Sequence, residues 1–356
     1  MRILIAAGGT GGHIYPALAV LRSLSERDDD LDVRWVGGRR GLESGIVPAS
    51  GLELDRLWLR SLRSVDMSLH TIGDPLRLAA SVPQAGALIA RFRPRVIFTT
   101  GGYVAIPVLT AAAAVRTPAL LWEGNRVAGR SVRAIARLAG AIAVSFQDTC
   151  GALPGRCYVT GTPIRSFARV DRTAARKRLK LPSDVPLLLV FGGSQAVRRL
   201  NEAVADALPR LVERMAVLHL TGEAGYADAL RRRESLTAEQ RARYRPHAFL
   251  RDEMTDALVA ADLLVGRAGS STLAEATALG LPLVVVPYPH ADSHQLANAQ
   301  HLVRAGAADL IEDDLFDGDA LVAASRILDD PERRERMAAA SRALGRPGAA
   351  RATAEL

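Results

Sequence analysis

The sequence predicts an α/β protein with two domains, each built on a parallel β-sheet. Its 356 residues are roughly twice the ~150 of a typical domain, which is enough for two hydrophobic cores. Short apolar runs rich in β-branched residues alternate with longer segments in which Ala, Leu and Arg recur at helical spacing. That alternation is typical of βαβ units, whose strands run parallel and carry helices on both faces.

The predicted strands fall into two series, separated by a stretch of turn residues and charge between residues 161 and 186. The first series is Arg2–Ala7, Val33–Gly37, Arg95–Thr100, Ala119–Glu123, Ala141–Ser145 and Cys157–Thr160. The second series is Leu187–Phe191, Val217–Thr221, His247–Leu250, Asp262–Val265, Leu283–Val286 and Ala308–Ile311. We therefore expect domains at 1–162 and 163–337, with a basic tail at about 338–356 that packs back on the first domain or frays.

Composition excludes several classes of protein. With 49% hydrophobic and 24% charged residues, the chain is globular rather than collagenous, coiled-coil or mucin-like. Two cysteines, Cys150 and Cys157, are too few for a disulfide framework or a four-ligand zinc site, and they favour a reducing compartment. The N-terminus lacks the apolar region of a signal peptide, and the longest apolar run, 104–115, is shorter than the ~20 residues that cross a bilayer.

The net charge of +8 is unevenly distributed. Residues 1–162 contain 19 basic and 12 acidic residues, whereas residues 163–356 contain 27 and 26. Between residues 56 and 95, arginines alternate with Leu, Ile, Trp and Phe, the composition of an interfacial membrane-binding segment. An ordinary amphipathic helix with a solvated Arg face is the commoner explanation. Nucleic-acid binding is disfavoured, because aromatic residues are only 4% and no recognition motif accompanies the charge.

Four glycine-bearing turns each follow a predicted strand and precede a predicted helix. They are Gly8–His13, Thr99–Tyr103, Phe191–Gln195 and Gly266–Thr272. In an open parallel sheet such turns lie at the carboxyl edge, where ligands bind, and the following helix N-terminus attracts phosphate. Glycine also serves tight packing, so one such turn is weak evidence. Four of them, two per domain, favour a phosphate-bearing ligand.

A dinucleotide is the first ligand to test. Gly9 and Gly11 fit G-x-G-x-x-G, but its sixth position is Ile14, and the second strand ends in two glycines and two arginines without a ribose-binding acid. NAD is therefore disfavoured, although Arg39 and Arg40 leave an NADP-linked oxidoreductase as a minor alternative. No P-loop motif occurs.

Two other chemistries receive less support. The turn at residues 192–196 nearly matches the nucleophile elbow G-x-S-x-G, with His219, His247 and His290 downstream as potential bases. Its last glycine is Ala196, however, and a serine at a helix start is far more often an N-cap. His290 and His294 are spaced i, i+4 without an H-E-x-x-H motif, so ligand binding is a better expectation for them than a metal.

From Met1 to at least Ala308, motifs in this order resemble the MurG family of glycosyltransferase family 28. The matching motifs are GGTGGHIYPALAV, TGGYVAIP, WEGNRVAG, GTPIR, FGGSQAVRRLN, DEM, RAGSSTLAEATALGLP, VPYPHADSHQLANA and AGAA. The family has the GT-B architecture, two Rossmann-like domains with parallel sheets facing a central cleft. The resemblance implies an inverting transfer of GlcNAc from UDP-GlcNAc to the MurNAc 4-hydroxyl of undecaprenyl-diphospho-MurNAc-pentapeptide (lipid I), which forms lipid II in peptidoglycan synthesis. It also implies no cofactor and a peripheral position on the cytoplasmic face of the cell membrane.

The resemblance places the UDP-GlcNAc contacts mainly in the second domain. Glu275 would accept from the ribose, backbone groups near Leu250 or Arg251 would bind uracil, Gln295 would bind the GlcNAc hydroxyls, and Arg165 would approach the nucleotide. The donor diphosphate would face two helix starts, formed by Ser194, Gln195, Gly269, Ser270, Ser271, Thr272, Leu273 and Ala274. Considered without the family motif, Glu275 is equally well explained as a solvated helix residue. Arg165 is equally well explained as part of a salt bridge at a hinge.

In the first domain, the resemblance implies two turns that cradle the acceptor diphosphate. These turns are formed by Thr10, Gly11, Gly12, Gly101, Gly102 and Tyr103. The first turn, with Asn125, also belongs to the expected UDP-GlcNAc contacts. His13 is the expected catalytic base, because the unperturbed pKa of histidine, ~6.5, suits proton abstraction near neutrality. Glu123 is the competing candidate.

The chain departs from the family pattern at three places. Trp122-Glu123-Gly124-Asn125 stands where the family usually has His-Glu-Gln-Asn, so a role of that histidine cannot be transferred. The segment Phe249–Met254 is one residue longer than usual, and His294 replaces a common Gln.

No D-x-D pair accompanies a glycine turn, so we expect helix N-termini and backbone amides, not a metal ion, to stabilise the departing UDP. Three alternatives to the transferase stay open. They are another GT-B enzyme such as a UDP-GlcNAc 2-epimerase, a non-catalytic nucleotide-sugar-binding protein and, last, the oxidoreductase.

Overall fold

The computed structural model describes residues 1–59, 69–168, 170–193, 198–289 and 294–356, with residues 69–72 as backbone only. It contains two parallel β-sheets, of seven and six strands, covered by helices. The described chain separates into two compact units, Met1–Ile164 with Pro347–Leu356, and Arg165–Arg346. The predicted α/β class with two parallel sheets is confirmed.

Every strand pair in both sheets is parallel. The first sheet has the order β3-β2-β1-β4-β5-β6-β7. Its strands are β1 (Arg2–Ala6), β2 (Asp32–Gly37), β3 (Leu54–Arg56), β4 (Val96–Thr99), β5 (Ala119–Glu123), β6 (Ala141–Val144) and β7 (Cys157–Val159). The second sheet has the order β10-β9-β8-β11-β12-β13. Its strands are β8 (Leu187–Phe191), β9 (Ala216–Leu220), β10 (Tyr244–His247), β11 (Leu263–Gly266), β12 (Leu283–Val285) and β13 (Ala308–Leu310).

Helices connect the parallel strands. Those before residue 165 are α1 (Gly11–Ser25), α2 (Glu43–Ala49), α3 (Leu69–Phe92), α4 (Gly102–Ala114), α5 (Arg130–Ile135) and α6 (Gln147–Gly151). Those after it are α7 (Arg172–Arg178), α8 (Arg198–Val212), α9 (Gly222–Glu234), α10 (Ala238–Arg243), α11 (Met254–Ala260), α12 (Ser270–Leu279), α13 (His294–Arg304), α14 (Gly318–Ser325), α15 (Pro331–Leu344) and α16 (Ala349–Glu355). Short 3-10 turns lie at Ala136–Leu138, Asp313–Leu315 and Arg326–Asp329.

Burial explains why continuous apolar runs formed the central strands. All five residues of β8, Leu187–Phe191, are buried, as are all four of β11. A parallel sheet with helices on both faces leaves neither side for water, so its strands are apolar without alternation. Each unit accordingly contains two buried clusters, one on each face of its sheet.

Eleven of the twelve predicted strands match an observed strand to within one residue at each end, and the twelfth lies at a sheet edge. The strand predicted at His247–Leu250 is found at Tyr244–His247, because the buried Tyr244 side chain anchors it and an edge strand tolerates Pro246. The edge strand β3 was missed, since three half-polar residues carry no periodicity.

The C-terminal helix α16 packs in the first unit, beside α1. The Thr353 hydroxyl lies 2.9 Å from that of Thr160, and Glu355 pairs with Arg27 at 3.2 Å. The observed division at 346/347 lies nine residues beyond the expected 337/338, because the whole of α15 belongs to the second unit.

The expectation that the cysteines are reduced is wrong for this structure. Cys150 and Cys157 form a disulfide across seven residues of sequence. The α6 turn brings residue 150 beside the start of β7, with a Cα–Cα separation of 5.5 Å, which lies in the range that a disulfide spans. Two cysteines can therefore form a single local bridge although they are too few for a framework.

The apolar side chains of the basic stretch at 56–95 are not all exposed, as they would be on a simple membrane-binding face. Its apolar side chains largely enter the core of the first unit, including Leu57, Leu88, Ile89 and Phe92. Trp58 and Leu76 are exposed, at 45% and 75%. Arg60 and Arg63 lie outside the described residues. Among the helices that the structure describes, none combines the length and apolarity needed to cross a bilayer.

Candidate active site

Both sheets reverse their strand order at one place, between β1 and β4 in the first and between β8 and β11 in the second. Crossovers on the two sides of such a point leave in opposite directions and open a crevice at the carboxyl ends of the strands. The four glycine turns predicted from the sequence follow these four strands, one each. They therefore flank the position in each sheet where a ligand is expected.

His13 connects the two turns of the first unit. Its Nδ1 lies 2.7 Å from the carbonyl oxygen of Thr100, whose hydroxyl donates to the His13 carbonyl at 3.0 Å. A carbonyl oxygen only accepts, so in the neutral imidazole the proton belongs on Nδ1 and the lone pair on Nε2. We infer this tautomer from the hydrogen bond. The half-buried ring thus directs an acceptor nitrogen away from Thr100.

The second turn has a backbone that requires glycine. Gly101 and Gly102 have φ of +83° and +74°, in the left-handed region where a side chain is strained. A Cβ on Gly101 would also lie 2.8 Å from Val132 Cγ2, and one on Gly102 would lie 3.4 Å from His13 Nε2. Local backbone geometry and close packing therefore explain why both positions are glycine. The absence of a side chain at Gly102 also leaves room beside the His13 ring.

Sequence reasoning missed Glu43, which is fully buried at the start of α2. Its Oε2 accepts from the Gly9 amide at 2.8 Å, and its Oε1 accepts from the Gly38 amide at 3.0 Å and from the Tyr103 hydroxyl at 2.9 Å. Burial, followed by the Glu43 charge, raises the pKa of Tyr103. The only sequence signal was an acid shortly after the glycines that end β2.

Glu123 organises the loop that follows β5. One carboxylate oxygen accepts from the backbone and side-chain amides of Asn125, at 2.8 and 2.9 Å, and the other from the Gly129 amide at 2.9 Å. The side chain is buried. Glu123 therefore positions Asn125, an arrangement that fits a loop clamp better than a proton acceptor for a substrate.

Trp122, which replaces the histidine of the family pattern, is a core residue. It is 1% exposed and packs in the same cluster as Ile14 of α1. Its indole N–H donates to the Gly161 carbonyl at 3.0 Å, which satisfies its polar edge. In this conformation position 122 offers no side chain to a ligand.

In the second unit, the turn after β11 leads into α12 with Gly269 as its N-cap. A glycine cap has no side chain to accept from the first-turn N–H groups of Ser270, Ser271 and Thr272, which are therefore suited to bind an anion. The Ser271 hydroxyl is shielded from solvent and has no hydrogen-bond partner within the described residues. Leu273 packs in the core, and Ala274 is half-buried. Ser194 and Gln195, predicted to face the same diphosphate, lie outside the described residues.

Glu275 and Arg165, two residues assigned separately to the nucleotide, form an ion pair. Arg165 Nε lies 2.6 Å from Glu275 Oε1, and Arg165 Nη1 reaches the Arg251 carbonyl at 3.5 Å. Burial raises the pKa of Glu275, and the nearby guanidinium partly offsets that shift. Arg165 thus links the acid expected at the ribose to the Leu250–Arg251 segment expected at uracil.

The turn after β12 supplies the last predicted contact. Gln295 accepts from the Tyr288 amide through its side-chain oxygen at 2.9 Å, so the amide nitrogen is the end suited to a sugar hydroxyl. Sequence reasoning missed Arg267, a buried residue of the glycine turn after β11. Its guanidinium donates to the Val286 carbonyl, pairs with Asp313 and lies over the Tyr288 ring. Arg267 therefore stiffens the strand ends around Gln295.

The structure assigns a structural role to one of the histidines considered as hydrolase bases. His219 is buried between Tyr244, 3.0 Å from Nδ1, and Asn201, 2.9 Å from Nε2. Desolvation lowers its pKa to about 3, so it stays neutral within this hydrogen-bonded chain. His247 is half-buried with a pKa lowered by burial, and His290 lies outside the described residues.

Among the described residues, no three His, Cys, Asp or Glu side chains converge in a way that would hold a metal ion. The i, i+4 histidine pair is only partly described, because His290 lies outside the described residues and His294 begins α13.

Family models match both units. Residues 3–144 match the N-terminal domain model of glycosyltransferase family 28, and residues 187–352 match its C-terminal domain model. Each match includes the two strands that two of the four glycine turns follow.

Full-length relatives agree with this assignment. The chain is 40% identical to a protein of Desulforudis audaxviator (98% of this chain, 95% of the relative) and 37% identical to one of Desulforamulus reducens (98% and 96%). Both are named UDP-N-acetylglucosamine–N-acetylmuramyl-(pentapeptide) pyrophosphoryl-undecaprenol N-acetylglucosamine transferase. Among solved structures, MurG of Acinetobacter baumannii superposes with a TM-score of 0.75 at 26% identity, covering 99% of this chain and 98% of that one.

The Arg165–Glu275 pair predicts a pH-dependent stability. Replacing Arg165 with Met removes the charge that lowers the pKa of Glu275, so the pKa of this buried carboxyl rises further. A raised carboxyl pKa favours folding while the group is protonated, and that contribution is lost as pH rises through the folded-state pKa. Denaturant unfolding should therefore show a larger deficit for R165M relative to wild type at about pH 8 than at about pH 5.

The double variant R165M/E275Q is the control for this measurement. It carries no ionisable group at position 275, so its deficit relative to wild type should depend less on pH. An R165M deficit that is equal at both pH values would contradict the coupling.

Proposed function

The chain belongs to glycosyltransferase family 28, and from this membership we propose how its residues share the work of one reaction. The reaction is the transfer of GlcNAc from UDP-GlcNAc to the MurNAc 4-hydroxyl of lipid I, giving lipid II in peptidoglycan synthesis. The proposal depends chiefly on the paired glycine turns at both strand-order reversals. They give the chain two phosphate-suited crevices, and both the donor and the acceptor of this reaction carry a diphosphate.

The second unit binds the donor. The first-turn amides of α12 receive the diphosphate, where N–H groups and the helix dipole stabilise the negative charge that grows as UDP leaves. Glu275 accepts from the ribose hydroxyls, which replace or share its contact with Arg165. The released guanidinium then becomes available to the nucleotide. Backbone groups of Leu250 and Arg251 bind uracil, and Gln295 binds the sugar.

The first unit binds the acceptor and removes its proton. The turns at Thr10–Gly12 and Gly101–Tyr103 cradle the lipid diphosphate, and the first turn with Asn125 also approaches the donor sugar. His13 Nε2 takes the proton of the attacking hydroxyl. That oxygen bonds to the GlcNAc anomeric carbon while the bond to UDP breaks, and UDP leaves with the electron pair. A single displacement of this kind inverts the anomeric centre.

His13 is the better candidate for the base, and Glu123 is a positioning residue. The hydrogen bond from His13 Nδ1 to the Thr100 carbonyl holds the ring and places the lone pair of the neutral imidazole on Nε2. Both oxygens of Glu123 already accept from amides of its own loop. Proton transfer to Glu123 would break the contacts that hold Asn125.

A coupled assay tests the proposed reaction. Wild-type protein incubated with UDP-GlcNAc and a lipid I analogue should release UDP only when the acceptor is present, because the donor bond breaks as the acceptor attacks. The product should carry a β-linked GlcNAc. UDP release without acceptor would indicate an epimerase or a hydrolase, and donor binding without turnover would indicate a non-catalytic binding protein.

The assignment of the base predicts unequal effects of two substitutions. His13→Ala should lower kcat by a factor of ~10² to 10⁴, the usual contribution of a general base. The Kd for UDP-GlcNAc should change little, because the principal donor contacts lie in the other unit. Glu123→Gln keeps the size of the side chain and part of its acceptor capacity, and it should lower kcat less.

Steady-state kinetics with calorimetric donor binding would measure both variants. Near-normal kcat in His13→Ala, together with loss of kcat in Glu123→Gln, would transfer the role of base to Glu123.

We place the protein peripherally on the cytoplasmic face of the cell membrane, where its lipid-linked acceptor lies. The first unit carries nearly all of the net positive charge. Leu76 of α3 and Trp58 are both exposed in this unit, and Arg77 follows Leu76 in the sequence. Apolar contact combined with basic residues is the composition of reversible binding to an anionic membrane surface.

Vesicle binding tests this location. Wild-type protein should co-sediment with vesicles rich in anionic lipid at low salt and dissociate as salt rises, because salt screens exposed charges. Leu76→Ser should weaken binding. Leu315→Ser removes a leucine of similar exposure, 64% against 75%, from the second unit and should have no effect. Equal binding by all three proteins, or none even at low salt, would contradict the proposal.

A further inference from the structure

We propose that Glu43 is a positioning residue for the acceptor, because its carboxylate fastens the first glycine turn, the end of β2 and Tyr103 into one unit. This inference rests on the proposed function, in which those turns bind the lipid diphosphate. Glu43 touches no substrate in this account and acts through the groups that it holds.

The contacts of Glu43 join three separate parts of the chain. Gly9, Gly38 and Tyr103 lie 34, 5 and 60 residues away from it in sequence, and all three donate to the same carboxylate. Gly9 belongs to the turn that carries Thr10 and His13, and Tyr103 is the last residue of the second glycine turn and lies in the first turn of α4. One buried carboxylate thus connects the backbone of one acceptor turn to a side chain of the other.

The surrounding glycines provide space for this carboxylate. A Cβ built on Gly8 would lie 2.7 Å from Glu43 Oε1, and one on Gly37 would lie 2.7 Å from Glu43 Cγ. A Cβ on Gly41 would overlap the carboxylate itself. Gly8 and Gly37 resemble glycines that make room for a nucleotide, but in this structure they make room for the Glu43 side chain. Gly41 lies outside both acceptor turns.

Tyr103 completes the unit by lying across both neighbouring backbones. A Cβ on Gly9 would approach its ring to 3.1 Å, and one on Gly38 would lie 2.5 Å from its hydroxyl. The hydroxyl donates to Glu43, so the ring has one defined orientation beside the turn. Burying a carboxylate is costly unless donors satisfy it. Three donors at 3.0 Å or less do so here.

A second connection between the turns passes through His13 and Thr100. It holds the imidazole, whereas Glu43 holds the backbone of Gly9 and the ring of Tyr103. Loosening Glu43 should therefore weaken acceptor binding before it affects proton transfer. It should leave the donor contacts, which lie mainly in the second unit, intact.

Glu43→Gln tests this inference directly. Glutamine has the same size but only one side-chain acceptor oxygen, so its NH2 group must face either the Gly9 amide or the donors at Gly38 and Tyr103. The acceptor KM should rise about tenfold, the effect expected when a buried hydrogen bond to a charged group is lost. The Kd for UDP-GlcNAc should stay within about twofold, whereas general destabilisation would weaken both. Glu53→Gln, whose side chain is 70% exposed in the same unit, should behave as wild type.

A second pair of variants tests the same contact without altering the acid. Gly41→Ala places a methyl group against the Glu43 carboxylate, whereas Gly45→Ala, in α2, meets no atom within 4 Å. The first variant should raise the acceptor KM with donor Kd unchanged, and the second should change neither. If Glu43→Gln fails to fold, this pair decides the question.

The outcomes separate the inference from the proposed function. Wild-type protein without acceptor-dependent UDP release would overturn the function itself before any variant is measured. Given an active wild type, an unchanged acceptor KM in Glu43→Gln or in Gly41→Ala would overturn the role of Glu43. An equal loss of acceptor and donor binding in folded variants would also overturn it, since that is the behaviour of a purely structural residue.

Discussion

Two reversals of strand order, between β1 and β4 and between β8 and β11, place the four glycine turns of this chain beside crevices of the kind that bind ligands in open α/β sheets. At each reversal the crossover helices leave toward opposite faces of the sheet, so neighbouring strand ends are left without a helix packed between them. The helix starts beside the gap keep N–H groups that no earlier turn can satisfy. The glycine turns, the anion-suited amides of α12 and the position of His13 all follow from this one topological constraint.

Three buried carboxylates surround these crevices, and their partners give them different roles. Glu43 accepts from two amides and a phenol, and Glu123 from three N–H groups of its own loop, so both shape backbone. Glu275 instead pairs with a side chain, that of Arg165. Burial raises the pKa of Glu275. Two of these acids are therefore committed to fixed geometry. The third is held by a side chain instead of by backbone amides, and in the proposed function it accepts from the ribose hydroxyls.

The sequence predicted most of the fold, because buried parallel strands such as β8 are continuous apolar runs with clear turn signals. It failed at edge strands β3 and β10, where pairing on one side leaves little pattern, and at the disulfide, which depends on the path of α6. The glycine turns and His13 could be located by motif. Glu43 and Arg267 could not, because their roles arise from burial against residues distant in sequence. Motif matching also assigned Arg165 and Glu275 separately, although they form one pair.

Trp122 shows how a departure from the family pattern can be accommodated. Side chains alternate across a strand, and position 122 of β5 faces the cluster under α1, where Ile14 and Trp35 also lie. The indole fills that space and donates to Gly161, so it supports the helix that carries His13 rather than replacing a catalytic group. Both oxygens of Glu123 accept from its own loop, so the proposed function assigns the role of base to His13. Tryptophan at position 122 therefore contributes to the packing of α1, the helix in which His13 lies.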